Sequence, residues 1–228
     1  MSGMCANYIP STRRQLEQHF GVAPPDSEYK AESFPGYMAP FIRTPGPDSV
    51  PGDRACALGM FGIVPAWAEP RLARQTYNAR SETAASKPSF RSAYKRGQFC
   101  IIPVGAFYEP SYESGRPVRH EIAAADGAPL GIAGLWEYKP AADSGLPLLS
   151  FSMLTVNADG HPLMQRFHKP DDEKRMVVIL HPEQYDEWLH CKPEQSGPFL
   201  TRYPAELLVA RPAPRQAAPK AQPGLPGL

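Results

Sequence analysis

The sequence predicts an α+β chain, mostly short strands joined by many turns, with a few short helices at its margins. Three observations carry that expectation. Twenty-eight prolines among 228 residues disfavour a helix bundle, because proline removes a backbone donor and clashes inside a helix. Apolar residues fall in short runs bounded by Gly, Pro and Asp-Gly, the punctuation of strands. A composition of 42% hydrophobic and 21% charged residues suits one large globular domain.

The elements follow in order. Ser11 is placed to cap a helix over Thr12–Phe20, with Gly21 as its stop and Leu16 and Phe20 on one face. Val22–Asp53 reads as loops around a short strand at Tyr37–Ile42. Arg54–Phe61 reads as a strand that leaves through the turn Gly62-Ile63-Val64-Pro65-Ala66-Trp67. Gln98–Val104 is an apolar run, a buried strand ending at Gly105-Ala106-Phe107-Tyr108-Glu109-Pro110. Val118–Ala124 and Leu130–Leu135 flank Asp126-Gly127, a hairpin signal. Leu148–Val156 and Met176–Leu180 read as further strands, with a helical turn within His161–His168. Pro182 opens a last helix to about His190, with Tyr185, Trp188 and Leu189 facing the core. From Ala210 to Leu228, five prolines, two glycines and little apolar bulk predict a disordered tail.

Composition narrows the function classes. The net charge of +1 provides no global field for nucleic acid, so such binding needs a local patch. Cys5, Cys56, Cys100 and Cys191 are far apart with no CxxC pair, which argues against a zinc ribbon or a disulfide framework. The last three read as structural, and His190-Cys191 is too isolated for a metal site. There is no charged-then-apolar leader and no apolar run near the ~20 residues that span a bilayer, so a soluble, cytoplasmic protein is expected. No internal repeat, P-loop, GxGxxG or HExxH is present.

Three stretches carry candidate chemistry. Met4-Cys5 stands at the front. A cysteine freed at an N-terminus offers an amine and a thiol on adjacent carbons, with free pKa values of about 7.7–8.0 and about 8.5. Such a pair condenses with an aldehyde to an imine and then closes a thiazolidine ring, which no internal cysteine can do. Glu109, past a buried strand and beside two aromatics, is a partly desolvated carboxyl suited to proton transfer. Between Arg71 and Arg96 stand seven basic residues (Arg71, Arg74, Arg80, Lys87, Arg91, Lys95, Arg96) and one acid, Glu82, interleaved with Tyr77, Phe90 and Tyr94. Cations that track phosphates and aromatics that stack on bases make a single-strand groove; the other reading is a solvated surface over core aromatics.

Several separated motifs then line up. They are Met4-Cys5, Gly62–Trp67, Asn78-Ala79-Arg80-Ser81-Glu82-Thr83, Cys100–Glu109, Ala133-Gly134-Leu135-Trp136-Glu137, and Phe167-His168-Lys169-Pro170 leading through Arg175-Met176 into Val177–Leu180. In this order and spacing the chain resembles the SRAP family (SOS response-associated peptidase domain) from about Cys5 to Leu208. The resemblance implies a barrel-like, mostly antiparallel sheet with short flanking helices, framing a positively charged groove. It implies binding to single-stranded DNA and to single/double-strand junctions, and a covalent crosslink to abasic sites through the N-terminal cysteine. Carried over by position, the active residues fall on Cys5, Asn78, Glu109 and His168, with Arg80 on a phosphate contact. Arg71, Arg74, Ser81, Glu82 and Thr83 are grouped with it as DNA-binding, and Trp67 is either a base-stacking wedge or core.

On this reading residues 1–4 are a leader, 5–209 the SRAP domain and 210–228 the tail. The protein is expected to be a monomer at the bacterial nucleoid that needs no metal or organic cofactor. Two readings compete: a cysteine peptidase acting on its own leader, with Glu109 or His168 as base, and a non-covalent single-strand binding module. The chain departs from the family pattern at Ala6-Asn7, where Gly-Arg is common, and at Pro110, where tryptophan is common.

Overall fold

The structure, a computed structural model, describes residues 6–46, 48–141 and 146–215. Among the described residues eleven strands form one sheet: β1 Tyr8–Pro10, β2 Met38–Arg43, β3 Ala55–Phe61, β4 Asn78–Arg80, β5 Phe99–Ser111, β6 Val118–Ala124, β7 Leu130–Lys139, β8 Leu148–Asn157, β9 Arg175–Val177, β10 Ile179–Leu180 and β11 Leu208–Pro212. The pairings β7–β8–β3–β2–β5 close on themselves through β5–β7, which makes a five-stranded barrel inside the larger sheet. Its pairings are antiparallel except β3–β8. Closure satisfies backbone groups that an open sheet would leave bare at its edges. The barrel-like α+β expectation is borne out.

The strands are apolar on the faces they bury. Phe41, Phe61 and Phe151 are fully buried, with ring centroids 5.4 Å apart for Phe41–Phe151 and 5.7 Å for Phe61–Phe151. Close packing requires Gly134 on β7: a Cβ there would lie 2.3 Å from Ile102 Cδ1 and 2.6 Å from Ser152 O. Among the described residues four short α-helices flank the sheet: α1 Arg13–Gln18, α2 Ser81–Ala84, α3 Arg91–Lys95 and α4 Tyr185–His190. α4 docks through Trp188, whose Nε1 donates to Cys100 O at 2.8 Å. None of the described helices is long and apolar enough to cross a membrane.

Five expectations need correction. The cap of α1 is Thr12, in a reciprocal capping box with Gln15, and Ser11 is buried. β5 runs thirteen residues and contains Glu109 rather than ending before it. Its prolines bring no N–H to the ladder, but their carbonyls are used: Pro103 O accepts Ser11 N, and Pro110 O accepts His168 N. Asp126-Gly127 does not close a hairpin. β6 and β7 lie end to end along β5, with Ile122 opposite Phe107 and Leu130 opposite Val104. The run Met176–Leu180 splits, β9 pairing with β8 and β10 with β7. The start expected for the tail, Ala210, lies within β11, which pairs with β6 as far as Pro212 opposite His120. The stretch 216–228 lies outside the described residues, as does the expected leader.

Candidate active site

The site is built on the second half of β5. Backbone groups of residues i and i+2 point to the same edge of a strand, so Tyr108 and Pro110 share one edge, while the other carries β6 with His120 opposite Glu109. On the first edge, Tyr108 N donates to Asn7 O at 3.1 Å, and His168 N donates to Pro110 O at 2.9 Å. The chain entering β1 and the turn at His168 therefore flank Glu109 from the same side. Phe167, fully buried, bridges to Ser111 and meets His120 edge-on at 5.6 Å, which fixes the turn.

His168 is the only described non-glycine residue at positive φ, 66°. Its carbonyl and that of Lys169 accept Lys174 Nζ at 3.5 and 2.5 Å. This backbone aims the imidazole at the carboxylate: His168 Nε2 lies 3.1 Å from Glu109 Oε2, with the side chains 1% and 2% exposed. The approach is not aligned as a hydrogen bond, and both ring nitrogens of His168 are buried without a hydrogen-bond partner among the described residues. Catalytic contacts without substrate are often misaligned in this way and tighten when it binds. His161, the other histidine of this stretch, is structural: its Nδ1 accepts Leu163 N and Met164 N, and its Nε2 meets Tyr203 O at 2.7 Å.

Cys5 lies outside the described residues. Ala6 and Asn7, which follow it, lead into β1 from the Glu109 end of β5, because β1 is antiparallel with Tyr8 opposite Phe107.

Asn78 and Arg80 sit on β4, which pairs in parallel with β8. They share a face, with Ala79 buried on the other. Arg80 is exposed, and its Nη1 lies 2.7 Å from Glu173 Oε2, in the segment joining His168 to β9. Arg175, 2% exposed, holds both neighbouring acids: Glu82 at 3.1 and 2.7 Å, and Glu173 at 2.7 Å, with a further bond to Thr155 O at 2.8 Å. Burial pushes the Glu82 carboxyl up, but the Arg175 hydrogen bonds and charge outweigh it and hold the group below its ordinary value. Glu173 is likewise held low, first by its bond to Arg175. Glu82 thus faces Arg175, while Ser81 and Thr83 are half-buried in α2.

Arg71 and Arg74 are exposed on a 3-10 helix over Pro70–Gln75. Trp67 is 68% exposed, so it is not core. It walls an open cleft of ≈ 510 Å³ with Pro88, Arg91, Arg96, Glu137 and Tyr138. Neither Glu109, His168 nor Asn78 lines that cleft, so it is a separate surface from the carboxylate–imidazole pair. Arg96 is bound to Glu137 at 2.6 and 2.7 Å. The interleaved aromatics of this region are partly buried and pack inward. Tyr77 packs on Phe61 at 5.8 Å, Tyr94 packs on Phe99 at 5.7 Å with its hydroxyl 2.7 Å from Ser196 Oγ, and Phe90 packs against the core.

Two features escaped the sequence reading. One is Arg175 as the hub of the acids. The other is a polar network at Asn7, Glu32, Arg119 and Tyr108. Both join residues far apart in the chain and have no local pattern. Among the described residues no group of three or more His, Cys, Asp or Glu is arranged to hold a metal ion.

The profile of the SOS response associated peptidase (SRAP) family matches residues 4–217. The chain is 31% identical over 155 residues to the abasic site processing protein YoaM of Bacillus subtilis (strain 168), and 32% identical over 157 residues to YoqW, an abasic site processing protein of the same organism. The matched stretch covers 66% of this chain in both cases but only 64% of YoaM and 65% of YoqW, so this chain spans less than two thirds of either relative. The crystal structure of a protein from Bordetella bronchiseptica superposes with a TM-score of 0.82 at 39% identity, covering 92% of this chain and 99% of that one.

Proposed function

This chain belongs to the SOS response-associated peptidase family, and on that premise we propose that it processes abasic sites in DNA by trapping the opened sugar covalently on Cys5. The observation that carries the reading is the buried Glu109–His168 pair, 3.1 Å apart, flanked on one edge of β5 by the strand into which Cys5 leads.

An abasic sugar opens to an aldehyde at C1′. The Cys5 amine adds to that carbon, and Glu109 passes the first N–H proton to the new alkoxide, which gives a carbinolamine. Glu109 then takes the second N–H proton and delivers it to the hydroxyl, which departs as water and leaves an imine. The Cys5 sulfur adds to the imine carbon and its proton goes to the nitrogen. Aldehyde and cysteine thus give thiazolidine and one water, with no oxidant or metal consumed. Closing the ring removes the imine, which would otherwise promote β-elimination, and so shields the strand. This is nucleophilic catalysis in which the adduct is kept.

His168 is within reach to pass a proton to or from Glu109. Asn78, neutral and able both to donate and to accept, suits holding the sugar. Arg80 supplies a phosphate contact on the same face as Asn78, and Trp67, Arg71 and Arg74 offer further exposed cationic and aromatic groups for a strand.

Residues 1–4 precede Cys5 in the sequence, so its amine is free only once they are gone. Self-cleavage between Met4 and Cys5 is one route. Intact mass reads whether they are absent. A denaturing gel of the processed protein with abasic single-stranded DNA reads the covalent product. A shifted band is expected for wild type and none for Cys5→Ala, which retains non-covalent binding. A band that persists in Cys5→Ala moves the nucleophile to another amine, and no band with a free Cys5 leaves the binding-module reading.

A further inference from the structure

Asn7, two residues after Cys5, is held from two directions. Its carbonyl accepts Tyr108 N–H at 3.1 Å, and its side-chain amide donates to the Glu32 carboxylate. The same Glu32 oxygen accepts Nη2 of Arg119. The Arg119 guanidinium in turn lies 3.3 Å from the centroid of the Tyr108 ring. The contacts close a circuit: Tyr108 backbone to Asn7 backbone, Asn7 side chain to Glu32, Glu32 to Arg119, and Arg119 back onto Tyr108.

The circuit is anchored where it needs to be. Glu32 is carried beside β1 because the next residue, Ser33, exchanges both backbone hydrogen bonds with Tyr8, at 3.2 and 2.8 Å. Asn7 is 9% exposed, and Arg119 and Glu32 have side chains 20% and 34% exposed. Bonds to a carboxylate at such partly dry positions are stronger than neutral ones. β1 itself is only three residues long, too short to hold the chain before it by ladder bonds alone. Tyr108 adjoins Glu109, so the circuit ties the segment that follows Cys5 to the strand that bears the proposed acid–base group.

We infer that Glu32 is a positioning residue. By holding Asn7 it sets where Cys5 meets Glu109, an inference that rests on the capture reading above. Two atoms of one residue must reach the same sugar carbon, and a misplacement of about 1 Å costs on the order of 10²-fold in rate. Glu32 touches no reacting atom in this scheme, so its effect falls on the rate of ring closure and not on DNA affinity.

The test uses single-turnover crosslinking to saturating abasic single-stranded DNA, with Cys5 confirmed as the first residue by mass. Asn7→Asp sets a carboxylate against Glu32. Its rate is expected to fall roughly 10- to 100-fold, with non-covalent affinity within about twofold of wild type. Adding Glu32→Gln to Asn7→Asp restores a donor–acceptor pair with its polarity reversed, and the rate is expected to recover at least about tenfold. Hydrogen exchange at the Tyr108 amide, read without DNA, is expected to follow the same order: protected, exposed, protected. A wild-type rate in Asn7→Asp, a double variant no faster than the single one, or a loss matched by weaker binding overturns the inference. A wild type that never crosslinks overturns the capture reading instead, and the Tyr108 exchange order then decides the clamp by itself.

Discussion

His168 reaches Glu109 from a backbone that few side chains adopt. Its φ of 66° brings Nε2 to 3.1 Å from Glu109 Oε2, while its own N–H is spent on Pro110 O. The left-handed conformation costs an L residue roughly 1–2 kcal/mol, so the turn is maintained by its surroundings: the Ser111–Phe167 bridge on one side and Lys174 on the other. Asparagine tolerates this region better than most residues. His168→Asn is therefore expected to keep the turn and the fold while removing the imidazole. Crosslinking should slow by about 10²-fold or more, the scale of one general acid–base group, with the melting temperature within a few degrees of wild type. A rate equal to wild type would show that the imidazole moves no proton.

The sequence marked Glu109 and His168 separately, and the reasons are physical. A carboxylate just past an apolar run and beside two aromatics stands out, because a buried acid is costly unless it is partnered. The apposition of the two is carried by a bridge between Ser111 and Phe167, which no local periodicity encodes. The hairpin expected at Asp126-Gly127 failed for a related reason: the turn chemistry is right, Gly127 having φ 76°, but long β5 takes both strands as partners in succession. The aromatics between Arg71 and Arg96 left two readings open because spacing does not tell which of Tyr77, Phe90 and Tyr94 faces inward; all three pack on the core, as the second of those readings expects. Arg175 was invisible as a hub because it opens a strand of buried residues, and its partners Glu82 and Glu173 are surface acids by composition.

Trp67 and Tyr94 make opposite predictions from the same stretch. Trp67 is 68% exposed, so Trp67→Ala should leave the melting temperature unchanged. If it stacks on a base, affinity for single-stranded DNA should fall by about 1–3 kcal/mol, read by fluorescence anisotropy. Tyr94 packs on Phe99 and bonds Ser196, so Tyr94→Ala should lower stability and leave the affinity of the folded fraction alone. Equal affinity in Trp67→Ala and wild type would remove this tryptophan from the DNA surface.

Gly62 decides how the segment that carries Trp67 leaves β3. Its φ is 113°, and a Cβ there would lie 2.0 Å from Ala73 O, a backbone atom that cannot swing aside. Gly62→Ala is expected to destabilise the protein by at least about 3 kcal/mol, measured by urea unfolding. A smaller loss would mean that the 3-10 helix over Pro70–Gln75 moves away readily.

The Arg175 hub predicts a pH dependence of stability. Glu82 and Glu173 are both held below the ordinary carboxylate value of 4.5, so the unfolded chain binds these two protons more readily than the folded one. The stabilisation is then complete above about pH 4.5 and is lost as pH falls through the lower folded values. The double variant Glu82→Gln/Glu173→Gln should start less stable at pH 7 and lose less on acidification than wild type. Thermal melts from pH 7 to pH 3 read this directly, and parallel curves for the two proteins would refute it.

Glu173 also bears on DNA binding, because it pairs with Arg80 at 2.7 Å and occupies the cation proposed to meet a phosphate. A phosphate arriving at Arg80 must compete with a carboxylate that Arg175 already holds in place. The pair is partly exposed, with side chains 52% and 35% accessible, so salt screens it and its strength in isolation is small. Its effect should appear instead in the count of phosphates neutralised. Glu173→Gln frees Arg80, so binding to single-stranded DNA at low salt should tighten. The slope of log K against log salt should steepen by up to about 0.7, the increment for one further phosphate on a single strand. Arg80→Ala should weaken binding and flatten the slope, and in that background Glu173→Gln should change neither. Anisotropy titrations across a salt series separate these outcomes. A Glu173→Gln protein that binds with wild-type affinity and slope would mean that Arg80 does not meet a phosphate from the position it holds in this fold.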